Sequence, residues 1–214
     1  MMIAERLVRK LAQSTPRPRP LDQKPVHDGN VKSPGGGLIV FGSYVPKSTA
    51  QLAALCTLDG VHAIELRVAD VLDSATRHGA IARAAQAANQ ALARGEDAVI
   101  FTSRQLYNGN SQDEALAIGR SLSAALVEVT RGIQIEPRFV VGKGGITSSD
   151  LATGGMDVRL ARVAGQIMPG VPVWKLGPGS RLPGASYIVF PGNVGDEQAV
   201  ARAVQLLRTQ NPSG

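Results

Sequence analysis

The chain reads as an α/β protein, a single domain on a mostly parallel, partly mixed sheet with helices on both faces. Three observations predict this. From residue 38 onward, short apolar runs alternate with helical patterns. Three of those runs end in glycine-containing loops that lead into helix-like segments: LIVFGSYVPKSTAQL, FVVGKGGITSSDLA and YIVFPGNVGDEQAV. The length of 214 residues, with 43% hydrophobic, suffices for one sizeable core.

The elements follow in order. Residues 1–14 place Ile3, Leu7, Val8 and Leu11 on one face of a short amphipathic helix. Residues 15–36 carry five prolines and no apolar periodicity, which is linker composition. The division expected is therefore residues 1–36 as helix and linker, and residues 37–214 as the α/β domain. Residues 38–41 are short and wholly apolar, a buried strand. Residues 48–58 are helical and residues 63–68 a strand. Residues 71–93 form a long alanine-rich helix stopped by Arg94-Gly95. Residues 98–102 are a buried strand, 111–130 a helix and 138–142 another buried strand. A helix starts at Thr147. Residues 165–168, 173–176 and 187–190 are strands, close enough together to mix the sheet. Residues 196–207 are the last helix. There is no internal repeat.

Composition narrows the function. Aromatics are only 4%, too few for the stacking platforms of a single-stranded nucleic-acid binder. The net charge of +6 is uneven: seven basic and three acidic residues fall within residues 1–36. That basic tail reads as a solvated linker rather than a surface for nucleic acid or acidic lipid. No run is long enough to span a bilayer, and the N-terminus lacks a signal-peptide core. The expectation is a cytoplasmic protein with no nucleic-acid and no membrane partner. The single cysteine, Cys56, excludes an internal disulfide and sits in an apolar helical run, so it reads as a buried thiol. His27, His62 and His78 lack metal-ligand spacing, no triad is visible, and no G-x-G-x-x-G follows a strand. No metal ligands are expected on this chain.

The loops carry the chemistry. A strand, a glycine turn and a helix N-terminus together cradle anions, because glycine admits close approach and the first N–H groups are unpaired. In VGKGGITSSDLA, Gly144 and Gly145 supply the turn. Thr147 and Asp150 have capping-box spacing. The N–H groups of Gly145, Ile146 and Thr147 converge, with the Thr147 hydroxyl and Lys143 available to phosphate. In PGNVGDEQAV an anion falls to Gly192 and Asn193. Asp196 reads as an N-cap, with a magnesium ligand as the other role. In GSYVPKSTAQL, Ser43 is placed for phosphate or base, and Ser48 or Thr49 for capping. Thr102, Ser103 and Arg104 lie on the same strand edge, Arg104 as phosphate partner or surface arginine. Trp174 reads as core or as one wall of an adenine pocket.

Gly42-Ser43 with TAQL at residues 49–52, KGGITS at residues 143–148 and PGNVG at residues 191–195 occur in this order in the four-carbon acid sugar kinases. The chain resembles the C-terminal nucleotide-binding domain of that family from about Gly36 to Leu207. The resemblance implies an ATP-dependent kinase of threonate, erythronate or oxo-tetronate. Its cofactors would be ATP and Mg2+, with ATP contacts at Ser43, Gly144, Gly145, Ile146, Thr147 and Gly192, and Asn193 beside them. Many members carry an acidic residue where this chain has Ile146. The family's sugar-binding half, with its D-D-x-T-G motif, has no counterpart in residues 1–36. The sugar acid would then bind through a missing domain, such as a separately encoded subunit. A non-catalytic nucleotide-binding regulatory or interaction module is the alternative, and a protein whose glycine loops are only turns is the third reading.

Overall fold

The computed structural model describes residues 35–42, 45–103 and 111–209. Leu38–Phe41 forms β1, buried at all four positions, as a strand covered on both faces must be. Pro46–Leu55 follows as α1, with Pro46 preorganising its first turn. Val61–Leu66 is β2, Val68–Leu72 the short α2 and Ser74–Ala93 the long α3. Asp97–Thr102 is β3, Gln112–Arg131 is α4 and Phe139–Lys143 is β4. Gly145–Asp150 forms α5, which runs on into a π-helical turn, Leu151–Gly155. Ala161–Met168, Val171–Leu176 and Ser186–Phe190 are β5, β6 and β7, and Ala199–Thr209 is α6.

The strands make one seven-stranded sheet in the order β2-β3-β1-β4-β7-β6-β5. The first five pair in parallel, and β6 and β5 add antiparallel. The predicted class is therefore observed, including the mixed second half. Successive residues of a strand face opposite sides, so each strand feeds two cores. Leu38, Val40, Val140 and Tyr187 pack under α3, α4 and the π turn. Ile39, Phe41, Val141, Ile188 and Phe190 pack under α1 and α6.

The boundaries move for local reasons. The helix expected over residues 71–93 is two helices, because Asp73 leaves the helical conformation and its carboxylate caps Ala75 N–H. β2 starts at Val61, directly after Gly60 turns the chain with φ +72°. α1 is capped at Val45, not by Ser48 or Thr49; the Thr49 hydroxyl instead donates to Val45 O at 3.4 Å. Cys56 is exposed, contrary to the sequence reading. The buried stripe of α1 is Ser48, Gln51, Leu52 and Leu55, and Cys56 is only its C-cap, off that stripe.

At the N-terminal edge of the strands, buried Asp97 ties β1 to the last helix. Its carboxylate accepts Gly37 N–H at 2.5 Å and pairs with Arg208 Nε at 2.8 Å. The opposite edge is where the glycine loops lie.

Candidate functional site

β1, β4 and β7 are consecutive in the sheet and parallel, so their C-terminal ends emerge side by side. Phe41 is in register with Lys143, and Lys143 with Phe190. The pairing continues one step past the strands, with Gly144 N–H donating to Phe190 O at 2.9 Å. Three sequence segments far apart in the chain thus open at one place, in the arrangement that makes the C-terminal edge of a parallel sheet a ligand site.

The middle loop is the tightest. Gly144 has φ +109°, a conformation glycine alone adopts without strain, and it is the N-cap of α5. The first intrahelical bond is Ser148 N–H to Gly144 O, at 2.8 Å. The N–H groups of Gly145, Ile146 and Thr147 precede it and have no partner inside the helix. Gly145 and Ile146 are exposed, Ile146 to 77%. The capping box expected of Thr147 and Asp150 is not formed. Asp150 accepts from Ser123 Oγ, and the buried Thr147 side chain lies against Gly42, just past β1. A Cβ on Gly42 would fall 1.9 Å from Thr147 Oγ1, so the first loop needs glycine for the second to approach. The Ser148 hydroxyl lies 2.7 Å from both Gly142 O and Gly144 O, and Tyr187 donates to Ser148 O at 2.6 Å. Burial pushes the Tyr187 hydroxyl well above the usual tyrosine range, so it stays a donor.

Lys143 is not a free arm. It is wholly buried, and its ammonium donates to Pro191 O at 2.7 Å and Gly192 O at 2.9 Å, 4.7 Å from the centre of the Phe190 ring. Burial, with repulsion from Lys47, lowers it from the ordinary 10.5 to about 8. From α1, Lys47 Nζ reaches Asn193 O at 3.3 Å and Gln51 Nε2 donates to Val194 O at 3.0 Å and Asp196 O at 2.7 Å. The third loop is therefore held by its backbone carbonyls from two sides. Among the described residues neither lysine forms an ion pair with a carboxylate.

Gly192 is half-buried and Asn193 exposed at the head of this loop. Asp196 accepts Gln198 N–H at 3.1 Å and pairs with Arg202 at 2.8 Å, and the Arg202 hydrogen bond holds its carboxyl below the usual range. It serves the helix start. Ser103 Oγ accepts Val68 N–H at 3.2 Å and so anchors α2. Ser43 and Arg104 lie outside the described residues. Among the described residues no three His, Cys, Asp or Glu side chains gather as a metal site. No helix there is long and apolar enough to cross a membrane.

Sequence reasoning missed the stapling by Lys47 and Gln51. The signal was present: Ser48 and Gln51 are polar residues on the stripe that Leu52 and Leu55 mark as buried.

A doubly covered parallel sheet with glycine loops converging at its C-terminal edge defines a nucleotide-binding α/β architecture. The sequence matches the nucleotide-binding C-terminal domain family over residues 38–200, and the chain belongs to that family. No curated protein matches it. The fold is similar to that of a Bordetella bronchiseptica protein of a domain-of-unknown-function family (DUF1537), solved with bound citrate as a domain-swapped dimer. The TM-score is 0.64 at 20% identity, over 81% of this chain and 41% of that one. It is also similar to a Salmonella typhimurium LT2 protein provisionally described as a tRNA synthase, with TM-score 0.61 and 19% identity, over 92% of this chain and 43% of that one. The chain thus spans about two fifths of the length of these solved proteins.

Proposed function

We propose that this chain is the ATP-binding part of a kinase acting on four-carbon sugar acids of the threonate, erythronate or oxo-tetronate type. The observation that carries the reading is the convergence of the three glycine loops on adjacent strands β1, β4 and β7. The N–H groups of Gly145, Ile146 and Thr147 take the phosphates, with Gly144 shaping the turn. Gly192 and Asn193 close the opposite side, and Ser43, outside the described residues, is the further contact that the resemblance implies. The charge of Lys47 and Lys143 favours a polyanion there. Ile146 contributes its backbone only, which suits an exposed apolar side chain at a position that is acidic in many four-carbon acid sugar kinases.

Mg2+ would be held on the nucleotide's phosphates, where it would offset their charge. The division into a short helix and proline-rich linker over residues 1–36 and the nucleotide-binding domain over 37–214, with a cytoplasmic location, belongs to this proposal. The sugar acid is presented by a sugar-binding half, separately encoded or otherwise supplied. Transfer forms a bond between the sugar hydroxyl oxygen and the γ-phosphorus and breaks the β,γ-bridge. The hydroxyl proton passes to a base on the sugar-binding half. The work of this chain is positioning and charge neutralisation.

The test mixes the purified chain with a sugar-binding domain of the four-carbon acid sugar kinase family and follows ADP formation over a panel of tetronates. Turnover that needs both parts supports the kinase. ATP binding without transfer to any tetronate rejects it and leaves a non-catalytic nucleotide-binding module.

A further inference from the structure

One buried cation joins two of the three loops. Lys143 directly precedes Gly144 in the chain, and its ammonium donates across to Gly192 O and Pro191 O. The groups that face it come from four elements. β1 sets Phe41 beside it in register, and β7 contributes the Phe190 ring. α1 contributes a second cation, Lys47, whose Nζ sits on the next loop carbonyl, Asn193 O. Asp196 and Glu197, just before α6, line an open groove with Lys47. Asp196 is paired with Arg202, and neither acid forms an ion pair with Lys143. Tyr187 lies on the opposite face of the sheet, with its hydroxyl on Ser148 O.

We infer that the site takes up its polyanion together with a proton, and that Lys143 is the group that receives it; the inference rests on the nucleotide-binding reading above. Two carbonyls and a ring replace the water that an ammonium would otherwise hold, and the nearby cation repels it. Its grip on the proton is weakened accordingly, from the ordinary 10.5 to about 8. Phosphates at the Gly145 turn and at Gly192 bring negative charge next to this ammonium and favour its charged form. By linkage, the protonated lysine then favours the anion to the same degree. The sign is fixed. Near pH 8 the free protein holds this proton about half the time, and the complex holds it almost always, so binding consumes protons there. As pH rises through 8 the free protein loses the proton and affinity falls. Lys143 is a positioning residue in this account, because it reaches the ligand through the loops that it ties together.

The test is calorimetric titration of the full chain with ATP at pH 8 and fixed Mg2+, in HEPES and in Tris, whose ionisation heats differ. The apparent binding heats should differ by an amount equal to uptake of about half a proton. ATP affinity should fall roughly tenfold between pH 7 and 9.5, since each unit by which binding raises the lysine's pKa is worth tenfold. Lys143→Met, and Lys143→Arg as a second variant that keeps the charge but cannot titrate in this range, should show no uptake relative to wild type. ATP binding to wild type with the same heat in both buffers overturns the proton link and leaves the nucleotide reading intact. Uptake that persists in either variant overturns the assignment to Lys143. A folded wild type that binds no ATP at any pH overturns both readings.

Discussion

The Lys143 ammonium is the most consequential single group at the sheet edge. It is buried against carbonyls and a ring, without a carboxylate to balance it among the described residues. Its folded value, about 8, lies below the 10.5 of the free side chain. Below pH 8 both states carry the charge and the folded state bears the desolvation cost. Between pH 8 and 10.5 the unfolded chain binds more protons, so stability rises with pH through that window. Relative to Lys143→Met, which cannot titrate, the wild type should gain at most about 3 kcal/mol between pH 7 and 10.5. Urea unfolding of both proteins across that range checks this, and parallel profiles would show that Lys143 is not desolvated. Only half of this was legible in the sequence. KGG announced a lysine at a glycine turn. That it points back under Pro191–Gly192 depends on β4 lying beside β7, a pairing between residues 47 apart in sequence that no local pattern specifies.

At the scale of elements, α1 works as a latch. Lys47, Ser48 and Gln51 lie on one helical face and reach the Gly192–Asp196 backbone. This gives a physical reason for TAQL and PGNVG to occur together: one grips the other. Gln51→Ala removes two donors from carbonyls in a part-buried setting and should cost about 2 kcal/mol of stability. It should also weaken ATP binding roughly tenfold, because the freed loop must be ordered on binding. Thermal unfolding and calorimetry measure both, and unchanged ATP affinity would show that the loop is not part of the site. The strands and long helices were readable from apolar runs and stops. The helix starts were not, because Val45-Pro46 and Gly144 open α1 and α5 without a side-chain cap. The exposure of Cys56 was missed for a related reason, since apolar neighbours in sequence do not say where the helix ends.

Across the whole molecule the two edges of the sheet divide the labour. The N-terminal edge carries the Asp97 clamp on Gly37 and Arg208; the C-terminal edge carries the loops. Asp97→Asn leaves Arg208 without its counter-charge and should destabilise by about 2–3 kcal/mol in denaturant, with the affinity of the remaining folded protein for ATP unchanged. Lost affinity in folded protein would mean that the edges are coupled. The most direct test of the central claim uses Gly145, whose side-chain direction is open space. A carboxylate there suits a helix N-terminus, so Gly145→Asp should keep or slightly raise the melting temperature. It also places negative charge where the phosphates belong. Calorimetric titration with ATP should show saturable binding to wild type and at least a tenfold loss in Gly145→Asp. Equal affinity in the two, or no binding by folded wild type, would contradict a phosphate site at this turn.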